Sequence, residues 1–405
     1  MGKKLLLTLL VLTFISALTG KRIYEEQLPD TSDIGFFVPE VLPDPDLQPL
    51  VERFEAYVTH HLEQEGVPGA TIAMVKDSSV IYLKTFGLKE QHTFDSINIH
   101  TAFRLASVSK GFAPVLVGML VEDGVLNWDD RIIDFLPDFK MSKKRHTEEL
   151  TIRHVLSHTT GLPRHTYSNL LDEGWSYPEI RDMLRNVPVT HPVGAFYNYQ
   201  NVAYSLVADV VEKATGKTYT QLLKERIFDP LNMRGASASF NELMSYHNIA
   251  IPHLRDRYGY QPIPISPNYY TVAPAAGVNA TIVDMTQWLQ FLLGNNPGLL
   301  AGEILDEIFR PQIDILLRDK SIGQWRDLAD HFFYALGWRV LRSDTDTIVY
   351  HGGYVNGYRS EVAMIREDNF GIVVLSNAPS NFTSECLPSF FEMYREFKGG
   401  GELNG

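Results

Sequence analysis

The chain has a single cysteine, Cys386, in 405 residues, so neither an internal disulfide nor a cysteine-built zinc site can form. It also lacks basic character. Lys and Arg number 36 against 49 Asp and Glu, a net charge of −13. Such a chain repels phosphate backbones and anionic lipid, which disfavours nucleic acid and membrane surfaces as partners. Two catalytic signatures are missing as well: the Gly-x-Ser-x-Gly elbow of α/β-hydrolases and the His-Glu-x-x-His of zinc hydrolases. The adjacent pair His60-His61 has no metal-ligand spacing. Cys386, between Glu385 and Leu387, reads as a packed thiol rather than a nucleophile.

Long apolar runs are scarce. Behind Met1-Gly2-Lys3-Lys4, the stretch Leu5 to Leu18 is nearly all apolar, yet shorter than the ~20 residues that a bilayer-spanning helix needs. It has the dimensions of a secretory signal peptide, with Ala17-Leu18-Thr19 ahead of Gly20 as the cleavage point. An uncleaved anchor is the alternative. No cysteine follows the run, which removes a lipoprotein, and Leu6 stands where myristoylation wants Ser or Thr. The expectation is a signal peptide over 1–19 and a secreted or periplasmic protein, without stable membrane insertion unless that segment is retained.

What is present is ordinary globular composition, 44% hydrophobic and 21% charged. Residues 20–48, rich in Pro, Asp and Glu, read as an extended lead-in. Helical periodicity runs from Leu47 to Glu65 and stops at Gly66 and Pro68. Ala70–Val75 and Val80–Leu83 flank a polar turn and predict a hairpin. Helical signals dominate 108–310, notably Val115–Glu122, Tyr204–Ala214 and Ile282–Leu293. Strands return at Leu336–Leu341, Thr347–Tyr350, Glu361–Ile365 and Phe370–Leu375, and a helix closes the chain over 387–397. Strands at both ends with helices between them predict an α+β fold. Its antiparallel sheet is made by the N- and C-terminal parts of the chain, flanked by helices, with an inserted mostly helical subdomain. On this basis 49–398 is one catalytic domain, with sheet parts 49–106 and 325–398 around helical 107–324, and 399–405 is a tail.

Three short segments carry chemistry. In Phe103-Arg104-Leu105-Ala106-Ser107-Val108-Ser109-Lys110 a loop enters a helix, and residues i and i+3 of a helix share one face. Ser107 needs a neighbour to take its proton, and Lys110 can do so only if its surroundings keep it neutral. Alone, the pair reads as readily as a helix cap and a solvated lysine. Tyr199-Gln200-Asn201 precedes another helix; a phenol beside a lysine can relay protons, and an Asn can hold an amide. His351-Gly352-Gly353-Tyr354 is placed at a strand end, where two glycines let backbone approach a substrate and an N–H serve as oxyanion donor. Pro114 is expected to kink the first of these helices just beyond Lys110.

Taken in this order, Ser107-Val108-Ser109-Lys110, Tyr199-Gln200-Asn201 and His351-Gly352-Gly353 resemble the three-part signature of the class C β-lactamase and penicillin-binding-protein superfamily. Leu150 to Pro163, Ile227 to Met233 and Pro274 to Val278 are similar to further segments of that family, and the resemblance covers about 50–395. It implies a β-lactamase/transpeptidase-like fold and a serine acyl-hydrolase working through an acyl-serine on an amide or ester. Ser107 would then be the nucleophile, and Lys110 with Tyr199 the proton-transfer pair. Asn201 would orient the substrate, and the Ser107 and Tyr354 N–H groups would form the oxyanion hole. His351, Gly352 and Gly353 would line the substrate, with no metal or other cofactor involved. The partner implied is a small-molecule or peptide substrate. Where β-lactamases carry a lysine in the third motif this chain has His351, which supplies less positive charge for a substrate carboxylate. Members with that histidine resemble esterases and D-amino-acid peptidases at least as much as drug-resistance enzymes. The rival class is a non-catalytic protein that keeps the fold to bind peptidoglycan or a partner. His154 and His158 read as hydrogen-bonding residues of the framework, and Trp175, Tyr177 and Tyr354 as candidates for setting substrate size.

Overall fold

The computed structural model describes residues 37–320 and 322–399. The signal peptide expected over 1–19, most of the lead-in and nearly all of the tail therefore lie outside the described residues. Helix α1, Gln48–Glu65, ends on Gly66 with φ of 63°, a left-handed cap that glycine adopts without a Cβ penalty. The strands, in chain order, begin with the hairpin β1, Gly69–Lys76, and β2, Ser79–Gly87. Short pieces follow: β3, Phe103–Arg104, β4, His253–Asp256, β5, Gly259–Pro262, β6, Asn279–Ala280, and β7, Ile313–Asp314. The last five are β8, His331–Tyr334, β9, Arg339–Arg342, β10, Thr347–Val355, β11, Tyr358–Ile365, and β12, Phe370–Ser376.

Eight strands form one sheet in the order β2-β1-β12-β11-β10-β9-β8-β7. Every pairing is antiparallel, so the N-terminal hairpin joins the C-terminal meander through β1 and β12. This is the α+β layout expected from strands at both ends of the chain. Side chains alternate between two covered faces. Ile72, Met74, Ala363, Ile372 and Val374 pack toward α1 and the C-terminal helix, whereas Ala73, Val362, Met364 and Val373 pack into the helical part. Burial on both faces explains why these strands read as continuous apolar runs rather than alternating ones. Phe54 on α1 meets Phe390 edge-on at 4.9 Å.

The structure differs from the sequence expectation in several places. The middle of the chain also holds the small hairpin β4–β5, paired His253 to Pro262. Its residues are of mixed polarity, with His253 and Tyr260 buried and the rest exposed or half-buried, and carry no alternating apolar pattern. The sheet extends by β7 and β8, too short for periodicity to register. The C-terminal helix starts at Asn381, not 387, capped by the Ser380 hydroxyl, and runs to Lys398. No helix among the described residues is long and apolar enough to cross a membrane.

Candidate active site

β3 pairs with β6, and Leu105 N donates to Val278 O at 2.9 Å. The chain then turns sharply. Ala106 takes φ of 48°, a left-handed conformation that costs a non-glycine residue energy and is held only by its surroundings. Ala106–Gly111 is a 3₁₀ turn that leads directly into α2, Phe112–Glu122. A 3₁₀ helix has three residues per turn, so i and i+3 eclipse. Ser107 and Lys110 thus stand one above the other, more directly than α-helical spacing would give. Pro114 falls in the first turn of α2, directly after the 3₁₀ turn, and the Lys110 carbonyl that its missing N–H would have met is taken by the Tyr204 hydroxyl.

The turn is fixed from several sides. Arg104 is fully buried beneath it and donates to Ser266 O and Asn268 O, each at 2.8 Å. Ser109 Oγ accepts from Val278 N at 2.9 Å. Tyr204 donates to the Lys110 carbonyl at 2.7 Å. Trp338 packs so closely that a Cβ on Gly111 would lie 2.4 Å from its ring.

The Lys110 side chain is wholly buried. Its Nζ lies 2.8 Å from Asn201 Oδ1, 2.9 Å from Ala275 O and 3.4 Å from Ser107 Oγ. Burial, reinforced by the positive charge of Arg339, holds its pKa well below the ordinary 10.5. Nζ sits 4.5 Å from the centre of the Tyr199 ring. Tyr199 is itself buried, which raises its pKa, while Arg339 and a hydrogen bond with Ser107 act the other way. Burial thus favours the neutral amine on the lysine and the protonated phenol on the tyrosine.

Behind Tyr199 lies a residue read only as framework from the sequence. His158 is fully buried, with ring centres 4.4 Å from Tyr199, 4.8 Å from Tyr334 and 5.0 Å from Tyr204. Its Nδ1 accepts from Gln200 N at 3.2 Å, which fixes the neutral tautomer with hydrogen on Nε2. Burial and the nearby Lys110 depress its pKa strongly. His158 thus sets the tilt of Tyr199 and the path of the loop leading to Asn201. His154 closes a capping box with Thr151.

The third motif sits inside β10 rather than at a strand end. His351 pairs with Val362 and Gly353 with Ser360. Gly353 faces the nucleophile turn: a Cβ there would stand 2.4 Å from Leu105 O and 2.9 Å from Ser107 N. Only glycine allows this strand so close to the Ser107 amide. His351 is completely buried. Its Nδ1 donates to Gly352 O at 2.9 Å, so its Nε2 accepts from Tyr334 OH, 3.2 Å away. Burial, Arg339 and Lys110 push its pKa far down, and it is neutral.

A cavity of about 300 Å³ opens over Ser107, with Tyr199, Asn201, Gly352 and Tyr354 in its wall. Five of the eight residues singled out from sequence therefore border one space. Lys110, His351 and Gly353 stand behind that wall. Arg164, His165, Tyr269, Arg339 and Arg359 also line the cavity and belong to no motif. Tyr177 is not a lining residue; it is buried and donates to Asp209 Oδ2 at 2.8 Å. Trp175 is exposed and does not line the cavity. Cys386 is buried, and burial raises its thiol pKa far above the usual range. No cluster of His, Cys, Asp and Glu among the described residues has the arrangement of a metal site.

Sheet, inserted helical part and nucleophile turn define a known architecture. The Beta-lactamase family model matches residues 54–387, and the chain belongs to that family, whose members are generally serine hydrolases. Among curated proteins it is similar to the unguisins hydrolase ungD' of Aspergillus campestris, 27% identical over 358 residues, 84% of this chain and 64% of that one. It is also similar to protein flp of Staphylococcus aureus strain MRSA252, 24% identical over 339 residues, 83% of this chain and 64% of that one. The chain spans a little under two thirds of the length of these relatives. Its fold is shared with the octameric penicillin-binding protein homologue from Pyrococcus abyssi, at a TM-score of 0.73 and 22% identity over 87% of this chain and 78% of that one.

Proposed function

We propose that the protein is a serine acyl-hydrolase that works through an acyl-Ser107 intermediate on an amide or ester. One observation carries this: the Lys110 amine is fully buried 3.4 Å from Ser107 Oγ, in surroundings that hold its pKa well below the ordinary lysine value and favour its neutral form. A neutral amine has two N–H donors and one lone pair. The donors are taken by Asn201 Oδ1 and Ala275 O, which leaves the lone pair for the Ser107 hydroxyl proton.

In the acylation step Ser107 Oγ bonds to the substrate carbonyl carbon while Lys110 Nζ takes the hydroxyl proton. The carbonyl oxygen becomes an oxyanion held by the Ser107 and Tyr354 N–H groups, with Gly353 supplying the close approach. Donors of this kind are each worth about 10²–10³ in rate. The intermediate collapses, the C–N or C–O bond breaks, and the leaving group receives a proton through the Tyr199 phenol, which Lys110 replenishes. Water then attacks the acyl carbon by the same relay, releasing the acid and restoring Ser107. Asn201 does two things, fixing Lys110 through Oδ1 and presenting its amide to the cavity.

The similarity to an enzyme named as a hydrolase supports turnover over a purely binding role. Amide, β-lactam and ester substrates are separated by rates on a chromogenic cephalosporin, a p-nitrophenyl ester and D-alanyl peptides, each run with Ser107→Ala alongside. At least one substrate is expected to turn over and to lose at least about 10³-fold in the variant. If all three are inert, or the variant matches the wild type, the non-catalytic reading takes its place.

A further inference from the structure

A second cavity, of about 520 Å³, adjoins the one over Ser107, and the two share Arg164 in their walls. Its other walls come from segments far apart in the chain. Phe196 and Tyr197 stand on the loop that continues to Tyr199, and Leu316 and Asp319 lie just beyond the outermost strand β7. That second segment is fixed in place. Ile315 is buried and its N donates to Phe332 O at 2.7 Å, Asp319 N donates to Leu316 O at 2.7 Å, and Arg326 donates to Leu317 O at 3.0 Å. Arg164 Nη1 donates to both Asp319 carboxylate oxygens, at 2.8 and 2.6 Å. With Ile315 anchored inward, Leu316 is left 41% exposed and Leu317 56% exposed.

A lone exposed leucine is ordinary on a protein surface. Leu316 instead shares a concave space with Phe196 and Tyr197, and that space has the volume of a small-molecule pocket. Phe196 is steadied by His191, whose ring stacks on it at 4.3 Å. The charged side chains Asp314, Arg318 and Lys320 also border the cavity and are exposed, as the polar mouth of an apolar pocket is. Arg164 is matched by Asp319, so the shared wall offers a guanidinium face rather than an unpaired charge. Aromatic rings pack well on such a face. The proton relay says which part of a substrate reaches this space. Tyr199 hands its proton to the leaving group, which therefore sits on the Tyr199 side of Ser107. The loop just before Tyr199 walls the second cavity on that same side.

We propose that this second cavity is a leaving-group subsite that takes an apolar, aromatic-ended arm. The preferred substrate is then an ester or amide whose departing alcohol or amine carries such an arm a few bonds from the scissile carbonyl. The assignment rests on the acyl-serine reading above and names a substrate class for it. The chemistry is that of acylation: the C–O or C–N bond breaks, and the departing group takes its proton from Tyr199. Each methylene buried in the subsite is worth about fourfold in kcat/KM, and Leu316 and Phe196 are the residues that set the preference.

The test compares 4-phenylbutyl acetate with ethyl acetate, followed by pH-stat. The acyl group is shared and both leaving alcohols are primary alkanols of similar basicity. The ratio of their kcat/KM values within each enzyme therefore reads the departing arm. The wild type is expected to favour the 4-phenylbutyl ester at least about tenfold. Leu316→Asp, a surface change, and Phe196→Ala are each expected to lower that ratio about three- to tenfold. Equal rates on the two esters in the wild type, or a ratio within about twofold of wild type in both variants, overturns the proposal. Ethyl 5-phenylpentanoate carries the same arm on the acyl side. If Leu316→Asp slows that ester relative to ethyl acetate and leaves the leaving-group ratio unchanged, the cavity serves the acyl side and the proposal falls. Should the acetates turn over too slowly, 4-phenylbutan-1-ol and butan-1-ol are compared as competitive inhibitors of the substrate that does turn over. The aryl alcohol is expected to bind at least about tenfold more tightly, less so in Leu316→Asp, and equal inhibition overturns the proposal. Failure of the underlying reading is recognised separately and takes this one with it: then no substrate is turned over, or Ser107→Ala matches the wild type.

Discussion

While it is uncharged, Lys110 can donate to only two of its three polar neighbours, and that limit aims its lone pair at Ser107. The pH dependence follows directly. The active form has a neutral amine, so kcat/KM for a neutral ester rises with pH through the depressed Lys110 pKa. Activity is present above that point and lost below it, and the midpoint lies well under 10.5. Lys110→Arg places there a group that stays protonated, so the rise should vanish and the rate fall at every pH. Tyr199→Phe keeps the ring beneath Lys110 but removes the relay. A pH-rate series on this variant should show the acid limb retained and kcat reduced by about 10²–10⁴. The side chains that do this were legible as residue types at fixed spacings. Arg339 and His158 were not. They reach the site from β9 and from the loop after a short helix; nothing in its neighbours marks Arg339, and His158 lies in the family-like segment Leu150 to Pro163 but reads there only as framework.

At the scale of elements, the site is where β10 closes on a strained turn. The sequence pattern suggested an α-helix at Ser107 and a strand end at His351. The 3₁₀ turn ends on Gly111, whose lack of a side chain lets Trp338 press in just before α2, a contact between segments far apart in the chain. β10 runs on past Gly353 because Ser360 on β11 pairs with it and donates to Leu105 O. Local propensity carries neither fact. Gly353→Ala should force β10 off the Ser107 amide, since the added Cβ would lie 2.4 Å from Leu105 O. Steady-state kinetics should then show kcat down by about 10²–10³, the value of one oxyanion donor. Gly111→Ala strikes the Trp338 ring instead, and chemical denaturation should find it destabilised by about 1–3 kcal/mol.

For the whole molecule, both chain ends build one sheet, and α1 with the C-terminal helix covers the face away from the nucleophile. Hairpins and terminal strands made this layout readable from sequence. The outermost strands β7 and β8 were not, because two and four residues are too few to set a period. Stability and chemistry are accordingly separable. Phe54→Ala, deep in the α1 layer, should cost about 3–5 kcal/mol in a denaturation midpoint series, while kcat of the protein that remains folded is unchanged. The most direct measurement of the central claim is mass spectrometry of the protein quenched during turnover of a slow ester, followed by peptide mapping. A mass increase equal to the acyl group, confined to Ser107 and absent from Ser107→Ala, is the predicted result. An acyl group on any other residue, or steady hydrolysis by the Ser107→Ala protein, would contradict it.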